Sequence, residues 1–256
     1  MDPQPRAVMQ IAGIGLRVAD VGRATAFYAA LGFTPVAPGR LSFGGFALDL
    51  TVATGAPYPE PRAANDPWFQ HFAVAVADIG AAAAAVLTAG ATPVSVGGPQ
   101  VLPANTGSVT AFKFRDPDGH PLELSLIPGS RWLGEAAPGA VFLGVDHTAI
   151  AVADLAASQR WYADRGLREI GRSLNKGPEQ DRLDGLGGVA VDIVALGGGP
   201  GPHLELLCYR SPPPAPRRSI GDGDIAATRT LVTGGTAEID PDGHRLALTD
   251  RASPPY

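Results

Sequence analysis

Trp68-Phe-Gln-His71-Phe-Ala-Val-Ala-Val-Ala-Asp78 is the stretch whose reading decides this fold. It alternates with the two-residue period of a strand. Phe72, Val74 and Val76 fall on one face, and His71, Ala73 and Ala75 on the other. The imidazole therefore stands among small side chains. Asp78 has the chemistry of a helix N-cap, and the alanine-rich run behind it stops at Gly90. The phrase returns as Val145-Asp-His147-Thr-Ala-Ile-Ala-Val-Ala-Asp154, again with histidine seven residues ahead of the aspartate.

A further copy opens at Ile11-Ala-Gly-Ile-Gly-Leu-Arg-Val-Ala-Asp20 and ends its helix at Gly32. Twelve residues separate cap from stop in all three copies (Asp20 to Gly32, Asp78 to Gly90, Asp154 to Gly166). A weaker fourth cap-to-stop segment reads Asp224-Ile-Ala-Ala-Thr-Arg-Thr-Leu-Val-Thr-Gly-Gly235. Self-similarity at a fixed period marks a repeat architecture. Each unit is expected to run strand, helix and three further strands, an α+β fold of tandem βαβββ units at 8–53, 68–128, 141–210 and 217–250. The connections are rich in breakers, and Ser211-Pro-Pro-Pro-Ala-Pro216 is expected to be a stiff extended spacer. Arg217 to Gly223 makes a poor opening strand, so the fourth unit is expected to be trimmed.

The closing strands repeat as well. In Asp116-Pro-Asp-Gly-His-Pro-Leu-Glu123-Leu-Ser-Leu, the leucines share a face and Glu123 lies opposite. In His203-Leu-Glu205-Leu-Leu-Cys208, Glu205 likewise points away from Leu204 and Leu206. Unit one has Asp49 in this slot and unit four has Ala247; in the opening-strand slot they carry Gly13 and, by offset, Arg217. Only the two middle units supply a histidine and a glutamate each. Two imidazoles and two carboxylates suit a divalent ion such as Zn, Ni, Mn, Co or Fe.

The other polar residues take plainer readings. His120 and His244, each behind Asp-Pro-Asp-Gly, are expected to cap exposed turns. Asp49 is expected to be solvated, and Cys208 buried and inert. His203 shares a face with Glu205 and ranks below the other histidines as a ligand. Arg17 has the parity of Gly13 and is either an anion contact or a surface charge. Asn175 and Pro178-Glu-Gln180 are read as a loop, overhanging a cleft or simply on the surface.

These motifs, with Phe27-Tyr28-Ala-Ala-Leu-Gly32-Phe33, resemble the vicinal oxygen chelate superfamily, which includes glyoxalase I, extradiol dioxygenases and bleomycin-resistance proteins. The resemblance implies units paired into two curled mixed sheets with helices outside, and ligands drawn from opening and closing strands. If unit two pairs with unit three, it implies His71, Glu123, His147 and Glu205 as one metal set. Sequential pairing would instead separate Asp49, His71 and Glu123 from His147 and Glu205. The concentration of complete slots in the middle favours the first arrangement, with units one and four as a structural half. The resemblance further implies a metal-dependent lyase or isomerase acting on a small oxygenated substrate, with Glu123 or Glu205 moving the proton. Fe(II) dioxygenase chemistry is one alternative, although Lys113 stands where the extradiol subfamily would have tyrosine. A metal-free protein that binds an antibiotic or metabolite is another.

The bulk properties agree with a globular protein. The chain has 256 residues, 45% of them hydrophobic, and a net charge of −5 with no basic tract for nucleic acid. No apolar run is long enough to span a membrane. The opening Met-Asp-Pro-Gln-Pro-Arg lacks a signal-peptide pattern, and the single cysteine excludes an intrachain disulfide. A cytoplasmic monomer or homodimer is expected.

Overall fold

In the computed structural model, the described residues are 8–134, 137–199 and 201–249. The opening hexapeptide weighed above as a leader lies outside them, as does Asp250 at the end of the expected fourth unit. Unit one comprises β1 (Gln10–Val18), α1 (Val21–Ala29), β2 (Thr34–Ala37), β3 (Arg40–Phe43) and β4 (Phe46–Val52). Unit two comprises β5 (Phe69–Val76), α2 (Ile79–Thr88), β6 (Thr92–Pro93), β7 (Gln100–Val101), β8 (Thr110–Arg115) and β9 (Pro121–Leu126). A short α3 (Arg131–Gly134) precedes unit three, which runs β10 (Phe142–Ala151), α4 (Leu155–Ala163), β11 (Arg168–Lys176), α5 (Pro178–Asp184), β12 (Ala190–Gly197) and β13 (His203–Ser211). Unit four keeps only β14 (Arg229–Thr233), β15 (Glu238–Ile239) and β16 (Arg245–Leu248).

The repeated phrase does the same local work each time. Asp20, Asp78 and Asp154 accept hydrogen bonds from the backbone N–H groups of Arg23, Ala81 and Ala157, satisfying donors that the first helical turn leaves orphaned. Gly32, Gly90 and Gly166 follow their helices at φ of 93°, 102° and 93°, where a side chain would be strained.

The strands form two mixed sheets. One has the order β15-β16-β14-β1-β4-β3-β2, and the other β11-β12-β13-β10-β5-β9-β8-β6, with β7 on β8. Units one and four thus share a sheet through antiparallel β1 and β14, and units two and three through antiparallel β5 and β10. One hydrophobic core spans both sheets. Phe72 of β5 packs within 6.2 Å, between ring centroids, of Tyr28, Phe33 and Phe46 from unit one.

The two Asp-Pro-Asp-Gly-His turns are not the exposed caps expected from their composition. His120 is fully buried, and His244 is only 7% exposed. Each turn docks on the strand–helix junction of the preceding unit. The Nε2–H of His120 donates to the Arg17 carbonyl at 2.8 Å, and that of His244 to the Ala151 carbonyl at 2.6 Å. Asp116 accepts the Tyr28 hydroxyl at 2.7 Å and its own turn's Asp118 and His120 N–H groups. Asp240 does the same with Tyr162, at 2.9 Å, and with Asp242 and His244. Asp118 then takes the Ala19 N–H and the Arg23 guanidinium, while Asp242 takes the Ala153 N–H and the Ser158 hydroxyl.

Unit four departs from its expected form. Asp224 to Gly235 is a turn followed by β14, not a capped helix, because Thr230-Leu-Val pairs with β1 and buries its side chains. The register places Arg229, not Arg217, in the opening slot: Arg229 pairs with Gly15 as His147 pairs with Ala73. Cys208 is half-buried rather than buried. Asp49 is not simply solvated; it makes a two-pronged ion pair with Arg40 at 2.6 and 2.5 Å.

Removing either tyrosine hydroxyl leaves a buried carboxylate short of a donor. Tyr28→Phe and Tyr162→Phe are each expected to lower unfolding free energy by about 1–3 kcal/mol. Urea titration of the two variants checks this; loss of under a few tenths would mean the turns do not hold the units together.

Candidate metal centre

The site is built on adjacent rows of the second sheet. His71 pairs with Ala149 across β5 and β10, and Ala149 with Glu205 across β10 and β13. His147 pairs with Ala73, and Ala73 with Glu123 on β9. Paired residues on neighbouring strands share a face, so all four candidate side chains rise on one side. The alanine beside each histidine leaves room for the rings to lean together. The register of β10 slips between Val145 and His147, an irregularity of the kind that re-aims side chains next to active sites.

The imidazoles meet Nε2 to Nε2 at 3.3 Å. Glu123 Oε2 lies 3.6 Å from His71 Nε2, and Glu205 Oε2 lies 3.6 Å from His147 Nε2. His71, Glu123 and His147 each offer a ligand atom within 4.8 Å of the others. Glu205 stands beside this cluster, its second oxygen 3.5 Å from His203 Nε2. His203 packs on His147 with centroids 5.1 Å apart.

Asp146 carries no signal in the strand alternation, yet it positions His147. Its Oδ2 accepts from His147 Nδ1 at 3.1 Å, and its Oδ1 from the Trp132 indole at 2.7 Å. With Nδ1 engaged as donor, Nε2 is the nitrogen that faces the cluster, the arrangement in which a carboxylate orients a ligating imidazole. The histidine–aspartate adjacency was visible in the chain; the bulge that lets neighbours cooperate was not.

The floor of the cavity holds a second polar network. Lys113, opposite Glu123 on β8, donates from Nζ to Asp184 Oδ1 at 2.6 Å. Asp184 also accepts from Gln180 Nε2 and the Tyr209 hydroxyl, and Gln180 accepts from Asn175. Asn175 and Gln180 therefore belong to β11 and α5 and are buried in the cavity wall, not to a plain surface loop. The cavity measures about 190 Å³, and Leu102, Ile127, Ile193 and Leu207 supply its apolar side.

Electrostatics follow from burial. Desolvation, with Lys113 and His147 as charged neighbours, holds His71 well below the usual histidine range, so it is neutral and able to ligate. Desolvation opposes charge on His147 too, but Glu205, Asp146 and Glu123 outweigh it and raise His147 to about 9. Burial raises Glu123 against the pull of Lys113. For Glu205 burial acts the same way, yet His147 and His203 leave it below the ordinary carboxylate range. Glu123, Asp146, Asp184 and Glu205 are thus four carboxylates around two cations, the Lys113 ammonium and, until a metal displaces its Nε2 proton, the His147 imidazolium. Buried charge must be compensated. A divalent cation fits this donor set and this charge.

The counterpart face of the first sheet lacks the set. A Cβ at Gly13 would lie 2.3 Å from the Ala47 carbonyl oxygen, so no histidine fits there. Arg229 fills the other opening slot, and Ala247 pairs with Leu231 at the closing strand.

Comparison with known proteins agrees with this architecture. Residues 10–124 match the family model described as the Glyoxalase/Bleomycin resistance protein/Dioxygenase superfamily. No curated protein matches the chain. Among solved structures, glyoxalase I from Zea mays is similar at a TM-score of 0.61, with 19% identity over 96% of this chain and 93% of that one. A putative dioxygenase from Bacillus subtilis gives a TM-score of 0.55, with 15% identity over 88% of this chain and 71% of that one. The family model thus covers units one and two, and the glyoxalase I fold is shared along nearly the whole chain.

Proposed function

We propose that this protein is a metal-dependent lyase or isomerase of the glyoxalase kind, acting on a small oxygenated substrate. The observation that carries the reading is the convergence of two histidine nitrogens 3.3 Å apart, flanked by Glu123 and Glu205. His71, His147 and Glu123 would hold the ion, and Glu205 would complete the set. Such an ion supplies Lewis acidity, polarising substrate oxygens and stabilising an enolate-like charge.

The chain's own residues then divide the remaining work. Asp146, held by the Trp132 indole, orients the His147 ring so that Nε2 would face the ion. Glu205, beside the tight cluster and more exposed than Glu123, is placed to take a proton from substrate carbon and return it. His203 steadies its second oxygen. The Leu102, Ile193 and Leu207 wall favours a compact substrate and limits water.

One observation favours a second reading. The tight cluster is two histidines and one carboxylate, a set that also suits non-haem Fe(II) and oxygen activation. Oxygen uptake by Fe(II)-loaded protein with catechols separates the two readings.

Protein purified without chelator, or reconstituted with Zn, Ni, Mn, Co or Fe, is expected to hold about one ion per chain. His71→Ala and His147→Ala should abolish tight binding. Elemental analysis showing only traces in the reconstituted wild type would sink the proposal. Asp146→Asn is expected to weaken metal affinity by roughly 10–100-fold without abolishing it, as measured by chelator competition. Glu205→Gln should still bind metal but lose solvent-deuterium exchange into α-hydroxycarbonyl substrates followed by NMR; unchanged exchange would remove Glu205 from the proton path.

A further inference from the structure

A larger cavity lies away from the histidine pair and shares none of its lining. It measures about 400 Å³ and is bordered by the start of β5, the segment after the proline spacer, and unit four. Units one to three each follow their opening strand with a helix, whereas only residues 234–237 separate β14 from β15. The cavity thus lies against the unit without a helix.

Its chemistry is two-sided. Trp68, Phe69 and Ile220 give it an apolar wall, and Arg217, Arg218 and Arg245 a cationic one. Arg245 is committed to the Ile220 carbonyl at 2.6 Å and to Asp222 at 3.1 Å. Arg217 uses one terminal nitrogen, which donates to the Ala151 carbonyl at 3.4 Å and lies 3.3 Å from Asp242, and its Nε and other terminal nitrogen make no such contact among the described residues. Arg218 has no ion-pair partner among the described residues and is exposed at the rim. The indole Nε1–H of Trp68, in a side chain only 8% exposed, is buried without a hydrogen-bond acceptor. A cationic rim beside an apolar wall suits an anionic group carried on an apolar body.

We propose that this cavity is a second small-molecule site, which takes an organic acid. A carboxylate or phosphate group would lie on Arg217 and Arg218, with the apolar body against Trp68, Phe69 and Ile220. His244 and Asp242, which clamp unit four onto unit three, also line it. An occupant would therefore brace that joint, and binding would register as thermal stabilisation.

The test titrates the metal-loaded full chain with benzoate, phenyl phosphate and the neutral control benzyl alcohol, following tryptophan fluorescence and Tm. At least one anion is expected to bind saturably, with Kd below about 1 mM, and benzyl alcohol at least about tenfold more weakly. The tighter of the two anions identifies the headgroup. Arg218→Gln, at an exposed and unpaired position, should raise Kd by about fivefold or more without altering the fold, and Trp68→Phe should remove most of the fluorescence change. His71→Ala/His147→Ala should bind the anion as the wild type does, which distinguishes this cavity from a metal centre taking up carboxylate. No saturation by either anion, equal binding by Arg218→Gln, equal binding of benzyl alcohol, or loss of binding in the double histidine variant would each overturn the proposal.

Discussion

The antiparallel register of β5 on β10 is the constraint from which the rest of the site follows. Sliding one strand by a single residue would turn its histidine to the opposite face. In the observed register each histidine faces an alanine, and the next strand out brings a glutamate to the same row. Larger residues at 73 or 149 would wedge the imidazoles apart. The opposite faces of these strands carry Phe72, Val74, Val145 and Ile150 in the core. The register is therefore held by apolar burial, and polar convergence follows from it.

How far such a site can be read from one sequence depends on how local its determinants are. The strand–cap–helix phrase around His71 and His147 is local, and its alternation alone says which side chains share a face. Glu123 and Glu205 come from the same parity argument. Asp146 was not legible, because alternation puts neighbours on opposite faces and only a bulge brings its carboxylate to the His147 ring. The Lys113–Asp184–Tyr209 network joins three distant segments, and nothing in any of them announces the others.

The errors have the same physical origin. His120 and His244 sit in turns of polar composition, which suggests exposure; their burial comes from long-range partners at Arg17 and Ala151. In unit four, aspartate and alanine at the head of Asp224–Gly235 suggested a helix, but the β-branched residues that follow found an edge of β1 to pair with. Context overrode propensity there. The lost helix and the lost ligands occur in the same unit, and the tight fit at Gly13 removes the fourth histidine position independently.

The docked turns have a wider consequence when set beside the sheets. Sheet pairing joins unit one to four and two to three, whereas the turns join two to one and four to three. The four units therefore form a closed circuit of contacts in which each is gripped from two sides. A cut in any single linker would leave every piece still fastened at both flanks. The strands that carry His71, Glu123, His147 and Glu205 sit inside this circuit, so their spacing is buffered against strain arriving from either direction.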